Sequence, residues 1–298
     1  MNVSCIILNY NDADTTMKLV RSIKDYRALD SIVVVDNQST DDSVTRLDLL
    51  KSSKVHVICA DQNGGYGSGN NLGIRFACDT LKATHVLIAN PDVLVTEETI
   101  VALKTAIRTK SHAAITAAIP VNQSGKTGIL SWKLTGLLFD LLDTGLFTRR
   151  LFGRWLSDDP RNRGFLLETV NGSERCAFVD AVPGSLLLAD VNALNECGCY
   201  DENVFLYYEE KILGYQLREK GYQTLLLLDR TYVHLHSVSI DKSIRSILKK
   251  QALLHRSKLH YYKTYLRINW LQELVAKGFL EWILLEIWFL TTILRMSW

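Results

Sequence analysis

The feature that most constrains this chain is an alternation, over its first hundred residues, of short apolar runs with stretches of helical periodicity. The runs are residues 3–8, 31–35, 55–59 and 85–89. Each is apolar throughout rather than at every second position, the pattern of a strand covered on both faces. Between the first two, Met17, Val20 and Ile23 recur at helical spacing. That predicts a helix over 15–26, and the same reading predicts helices over 70–81 and 96–109. Thr96-Glu97-Glu98 supplies the last of these with an N-cap and an acidic first turn. The expected fold class is therefore α/β, a Rossmann-like and mainly parallel sheet flanked by helices.

In such a sheet, ligands bind beyond the carboxyl ends of the strands. The segments there are Asn9-Tyr10-Asn11, the polar stretch opening at Asp36, residues 61–73, and Asn90-Pro91-Asp92. All four are polar and three carry carboxylates, which points to a polar ligand accompanied by a cation. Composition narrows the field further. With 298 residues, 47% of them hydrophobic, the chain has a substantial core to bury, which excludes disorder as its main state. A net charge of +2 makes no case for nucleic acid. Cys197 and Cys199 lack a second pair at zinc spacing, and the six cysteines read as reduced and cytosolic. A strand pattern beginning at Val3 predicts no secretory leader.

Each polar segment carries a chemical reading and a structural one. Asp36 ends a strand, where its carboxylate can accept from the imide N–H of uracil or thymine or can close an Asx turn. The segment from Asn63 through Gly65 to Asn71 and Gly73 is dense in glycine and opens a helix. It either lets backbone approach an anionic ligand or is a flexible loop. Asp92 beside Asn90 can hold Mg2+ or Mn2+ through oxygen, with donor phosphates completing the shell, or can start a turn after the strand. Glu209-Glu210 can supply a general base whose pKa is raised by its like-charged neighbour, or can stabilise a helix N-terminus. His234 and His236 offer a metal ligand or a phosphate contact, or are structural.

Residues 120–175 read as irregular, glycine-punctuated chain, either a lid or an excursion facing the acceptor. Strands are predicted over 181–188 and 223–228, with a helix over 207–220. The chain then changes character. Residues 243–265 are basic and aromatic, and 279–294 are apolar apart from Glu281 and Glu286. The apolar run is shorter than the ~20 residues of a spanning helix. It predicts a helix lying in a membrane interface beside a basic stretch that meets anionic lipid. The alternative is a dimerisation or core helix.

Taken in order, Ile-Leu-Asn-Tyr-Asn, Val-Val-Asp-Asn-Gln-Ser-Thr-Asp, Asn-x-Gly-Tyr-Gly-x-Gly-Asn-Asn-x-Gly, Asn-Pro-Asp-Val and Tyr-Asp-Glu-x-x-Phe-Leu-Tyr-Tyr-Glu-Glu resemble glycosyltransferase family 2 over roughly residues 2–240. Within it they are most similar to the rhamnosyltransferase-like branch of bacterial surface-polysaccharide synthesis. The resemblance implies a GT-A fold over 1–240 with a helical extension over 241–298. It implies a nucleoside-diphosphate sugar donor (dTDP- or UDP-linked, rhamnose foremost), a lipid-linked or polysaccharide acceptor, and inversion at the anomeric carbon. By it, Asn9, Tyr10, Asn11, Asp36, Asn63, Gly65, Asn71 and Asn90 surround the donor, with Asp36 at the base. Asp92 and His234 serve the metal, Glu210 is the base with Glu209 assisting, and Gly184 and Ser185 line the acceptor strand. Ser239 follows five residues after the family's histidine. Three positions depart from the pattern. Ile212 and Gln216 stand where the family carries an aspartate and an arginine, and its common Glu-Asp pair is Glu-Glu.

These features predict an enzyme on the cytoplasmic face of the cell membrane, either monomeric or a homodimer, with no nucleic-acid partner. Two other readings compete. A sugar nucleotidyltransferase needs a basic, glycine-rich loop after the first strand, and residues 9–12 hold no Lys or Arg. A non-catalytic nucleotide- or glycan-binding subunit would account for Ile212 and Gln216.

Overall fold

The computed structural model describes residues 1–156, 159–170, 172–235 and 246–293. The amino-terminal half follows the predicted alternation: β1 (Val3–Asn9), α1 (Ala13–Ile23), β2 (Ser31–Asp36), a short α2 (Ser43–Asp48), β3 (Val55–Cys59), α3 (Gly65–Asp79), β4 (His85–Ala89), a two-residue β5 (Val93–Leu94) and α4 (Glu97–Thr109). The Thr96 hydroxyl caps α4 by accepting from the Thr99 N–H. Then follow β6 (Ala113–Val121), α5 (Leu137–Thr144), α6 (Leu146–Leu156), β7 (Phe165–Thr169), β8 (Gly172–Val179), β9 (Leu186–Asp190), α7 (Val191–Cys197), α8 (Glu209–Glu219), β10 (Gln223–His234), α9 (Ile247–Thr264) and α10 (Trp270–Trp288).

One ten-stranded sheet runs β3-β2-β1-β4-β9-β6-β10-β8-β7, with β5 added on β10. The expected parallel arrangement holds for β3-β2-β1-β4. Beyond β4 the sheet is mixed, because β9 runs antiparallel to both β4 and β6 while β6 and β10 are parallel. The fold is thus GT-A-like, a Rossmann-type sheet flanked by helices and continued by a helical extension. Two cores cover the two faces of the sheet. In β2 every residue is buried, as the continuous apolar run requires.

Several expectations change. Residues 120–175 hold β6's end, two helices and the β7–β8 hairpin rather than irregular chain. Several of their glycines fall at turns, such as Gly125 and Gly172 with positive φ, while Gly153 lies within α6. The strand expected over 181–188 starts at Leu186. The one expected to stop at 228 continues through a register shift near Asp229 to His234. A bulge lets polar residues interrupt a strand without ending it.

The carboxyl-terminal helices do not form a core of their own. Tyr261 and Tyr262 of α9 and Ala276, Leu280, Ile283 and Ile287 of α10 share a third core with Leu141 of α5 and with Val204, Tyr208 and Ile212. The basic, aromatic stretch expected to meet lipid therefore turns partly inward, with Lys258, Tyr261 and Tyr262 buried and Lys249, Arg256 and Lys263 exposed. No helix among the described residues is long and apolar enough to cross a membrane.

Candidate active site

The ends of β1 and β2 are braced together. Asn9 and Asp36 are register partners, and the Asn9 amide donates to an Asp36 carboxylate oxygen at 2.8 Å and to the Ser39 hydroxyl at 3.2 Å. The Thr16 hydroxyl donates to the Asn9 carbonyl oxygen at 2.7 Å. Asp36 also accepts from the Ser39 N–H at 2.8 Å and the Ser39 hydroxyl at 2.7 Å. Three of the roughly four acceptor positions of a carboxylate are thus filled, and both residues are fully buried. These bonds tie the ends of β1 and β2 together, and the Ser39 N–H and hydroxyl close an Asx-type turn on Asp36. Asn11, with φ of 52°, zips the two loops by accepting from the Thr40 N–H at 2.7 Å, and Tyr10 beside it is half-buried.

The glycine-dense segment is likewise mainly architectural. It is helical from Gly65 onward, and a Cβ at Gly73 would lie 2.5 Å from the Ile6 side chain, while one at Gly69 would collide with Leu8. These glycines let α3 press onto β1. Gly65, with φ of 92°, abuts the Phe205 carbonyl, which accepts from the Tyr66 N–H at 2.9 Å. The Gly65 N–H donates to the Asn63 side chain at 3.1 Å. The first two amides of α3, those of Gly65 and Tyr66, are thus bonded to Asn63 and Phe205. Asn71 is buried and joined to the 200–202 turn, donating to the Tyr200 carbonyl and the Glu202 carboxylate at 2.9 Å each and accepting from the Tyr200 N–H at 3.0 Å. It braces that turn.

Asn90, Asp92 and His234 do come together. The Asn90 N–H donates to the Ser185 carbonyl at 2.8 Å, tying the end of β4 to the start of β9. After the turn, β5 pairs antiparallel with β10 and sets Val93 opposite His234. This brings His234 Nε2 to 3.3 Å from Asp92 Oδ1, with Asp92 only 5% exposed. Neighbouring ligands of an octahedral ion bound at ~2.1 Å stand about 3 Å apart. One carboxylate oxygen and one imidazole nitrogen at this separation fit a divalent cation whose remaining positions go to phosphate and water. No cluster of three or more His, Cys, Asp or Glu suited to a metal occurs among the described residues. His236 and Ser239 lie outside the described residues.

Glu209 and Glu210 open α8 directly after Tyr207 and Tyr208, which have φ of 68° and 75°. Two consecutive bulky residues in the left-handed region cost on the order of 1–3 kcal/mol each, strain that concentrates at functional sites. The Glu210 carboxylate accepts from the Gly184 N–H at 3.3 Å and stays half-buried. Glu209 is buried, with one carboxyl oxygen lacking any hydrogen-bond partner. Burial and then the charge of Glu210 push the Glu209 carboxyl well above the usual range. Burial also raises Glu210, opposed by backbone N–H groups, including that of Gly184, and by the Lys211 ammonium. Both carboxyls are thus held toward the protonated form, Glu209 without the backbone N–H of Gly184 and the Lys211 ammonium that oppose the shift at Glu210.

Two tyrosines to which the sequence reading gave no role, Tyr66 of the glycine-dense motif and Tyr232, link these parts. The Tyr66 hydroxyl donates to the Gly184 carbonyl at 2.7 Å, and the Tyr232 hydroxyl shares a 2.6 Å bond with Ser185 between the Asp92 and Glu210 ends of the site. Only their place at strand and helix ends beside the motifs could have drawn attention to them. Ile212 and Gln216 lie on the packed face of α8. Ile212 is in the third core, and Gln216 donates to the Cys197 carbonyl at 3.0 Å. Along α8, one turn past Glu210 at Gly214, a cleft of about 380 Å³ opens between Trp132, Lys133, Asp180 and Arg218.

A GT-A-like sheet with a carboxylate–imidazole pair at one end of the cleft and an acidic helix start at the other defines the class of nucleotide-sugar-dependent transferases. The chain belongs to glycosyl transferase family 2, whose family profile matches residues 4–154. A Haloferax volcanii protein described as low-salt glycan biosynthesis hexosyltransferase Agl10 is 27% identical over 226 residues, 74% of this chain. The chain covers 62% of that relative's length. Among solved structures, the mannosyltransferase PcManGT from Pyrobaculum calidifontis, in complex with GDP-Man and Mn2+, aligns over 95% of this chain and 72% of its own, at TM-score 0.59 and 14% identity. GalNAc-T7 with UDP, GalNAc and Mn2+ aligns over 88% and 50%, at TM-score 0.58 and 15% identity. Residues 1–349 of S. aureus TarS align over 94% and 80%, at 0.52 and 14%. At these identities the structural likeness speaks to the fold alone.

Proposed function

We propose that this protein is an inverting hexosyltransferase that moves a sugar from a nucleotide-sugar donor to a hydroxyl of a growing glycan. The observation that carries the reading is the acid pair at the start of α8: Glu210 holds the Gly184 N–H, and the adjacent Ser185 is bonded to Tyr232 and to Asn90 next to the Asp92–His234 pair. Glu210, the half-exposed carboxylate, takes the proton of the acceptor hydroxyl as its oxygen attacks the anomeric carbon. The attack comes from the face opposite the departing diphosphate, so a single displacement inverts the configuration. Glu209, buried beside it and pushed toward its neutral form by burial and then by the charge of Glu210, limits the negative charge around the base. A Mg2+ or Mn2+ held by Asp92 and His234 would neutralise charge on the leaving diphosphate. The cleft along α8 supports an acceptor path toward Glu210.

For the donor we favour dTDP-rhamnose, supported by the Asn-Pro-Asp and Tyr-Tyr-Glu-Glu motifs, and for the acceptor a lipid-linked or polysaccharide chain. For location we favour peripheral attachment to the cytoplasmic face of a membrane. Its support is the outward face of α10, where Leu271, Leu274, Val275, Trp282 and Leu285 are exposed opposite the buried Ala276-Leu280-Ile283-Ile287 stripe.

Calorimetric titration with dTDP, UDP and GDP, each with Mn2+ and with EDTA, tests the core of this reading. One nucleotide should bind in Mn2+ only, and Asp92→Ala should abolish that binding. Glu210→Gln should leave it unchanged while lowering transfer by roughly 10²–10⁴. Failure of all three nucleotides to bind would favour a non-catalytic subunit.

A further inference from the structure

Behind the acid pair lies a buried polar cluster that the proposed reaction does not use. Its centre is Asp140 of α5, 1% exposed. Asp140 accepts from the Tyr208 hydroxyl in a short hydrogen bond, from the Lys211 ammonium at 2.5 Å, from the Tyr262 hydroxyl at 2.7 Å and from the Lys258 ammonium at 3.2 Å. Lys258 also donates to the Thr144 hydroxyl, and the ammonium groups of Lys211 and Lys258 lie over the Tyr208 ring, 5.0 and 5.2 Å from its centre. The cluster thus joins three elements: α5, the start of α8, and α9.

Two further contacts fix the same segment from α9. The Ser257 hydroxyl donates to the Leu206 carbonyl at 2.8 Å. Asp201 accepts from the Tyr265 hydroxyl at 2.8 Å and pairs with His260 at 2.6 Å. From the other side, Gly65 and Tyr66 of α3 hold Phe205. Residues 201–208 are therefore clamped between α3 and α9, and the last of them, Tyr208, is held by its hydroxyl in a left-handed conformation directly before Glu209. A tyrosine backbone stays there only where surrounding contacts over-determine it.

We propose that Asp140 is a positioning residue for the acid pair: by gripping the Tyr208 hydroxyl between Lys211, Lys258 and Tyr262 it locks the Tyr207–Tyr208 bend that aims Glu209 and Glu210 into the site. The proposal rests on the reading of that pair as the acceptor-side carboxylates. It makes α5 and α9 supports of the catalytic pair, acting through Tyr208.

The test compares two variants that each remove one hydroxyl from Asp140. Tyr208→Phe frees the bend, whereas Tyr262→Phe weakens the same cluster away from it. With whichever of UDP-, GDP- or dTDP-hexose the wild type turns over, Tyr208→Phe should lower kcat roughly ten- to a hundredfold with donor KM unchanged. Tyr262→Phe should keep kcat within about twofold at a similar loss of thermal stability, the contrast expected if geometry at the bend decides the rate. A readout independent of turnover is the carboxyl carbon resonance of Glu209 and Glu210 in 13C-glutamate-labelled protein, expected to move in Tyr208→Phe and to stay in Tyr262→Phe. Wild-type kcat or unmoved resonances in Tyr208→Phe overturn the proposal, as do equal effects of the two variants. Full activity in Glu210→Gln is a separate result, one that overturns the underlying assignment of the base.

Discussion

Glu209 and Glu210 are chemically identical neighbours in opposite situations. Glu209 is buried with an unpartnered oxygen, and Glu210 is half-buried against the Gly184 N–H. The consequence for stability has a definite sign. A carboxyl whose folded pKa lies above its unfolded value near 4.5 contributes stability that is complete below that value and is lost as pH rises through the folded pKa. Glu209→Gln cannot ionise, so its advantage over the wild type in melting temperature should widen from about pH 4 to about pH 8. Melting curves across that range check this, and a pH-independent difference would show that Glu209 titrates like an exposed carboxylate. Asp92 and His234 illustrate a different residue-scale lesson. Each is unremarkable in its own segment, and they become a donor pair only because β10 runs on past its register shift to meet β5.

At the scale of elements, α10 presents two apolar faces between which periodicity alone does not discriminate. One stripe is buried in the third core, as in a core helix, and the opposite face is apolar and exposed, as in a helix lying on a membrane. The outward face should bind lipid: the wild type should float with vesicles containing anionic lipid, and a Leu274→Asp/Leu285→Asp double variant should not, with unchanged melting. A wild type that stays with the dense fraction and elutes as a dimer would assign the face to a second copy of the chain. For α3, the dense glycines were legible, and their purpose was not. In the sequence they suit a phosphate loop; in the fold they are where helix backbone meets the side chains of β1 and the carbonyl of Phe205.

Across the whole molecule, the site is assembled from both halves of the chain and supported by its last helices. The carboxyl-terminal extension contributes Tyr261, Leu280, Ile283 and Ile287 to a core that also covers the segment leading to α8. Four such side chains at roughly 2 kcal/mol each come to about 8 kcal/mol, comparable with the ~5–15 kcal/mol that holds a domain folded. A chain ending at residue 245 is therefore expected to lose cooperative unfolding and to bind a hydrophobic dye. A sharp thermal transition in that shortened chain would instead make residues 1–240 an independent unit.

What the sequence alone determined is local and periodic. Continuous apolar runs dictate doubly covered strands, the Thr96 cap marks the start of α4, and the order of five motifs identifies the family, because each depends on residues close together in the chain. The pairing of Asp92 with His234 could be suspected from motif order, but its geometry comes from a strand extension that polar residues at 229 and 230 disguised. The burial of Asn9, Asp36 and Asn71, the left-handed bend before Glu209, and the grip of Asp140 on Tyr208 were decided only by the tertiary structure. Each depends on partners 27 to 131 residues apart, and whether a polar side chain meets a ligand or another part of the protein is settled by what packing brings against it.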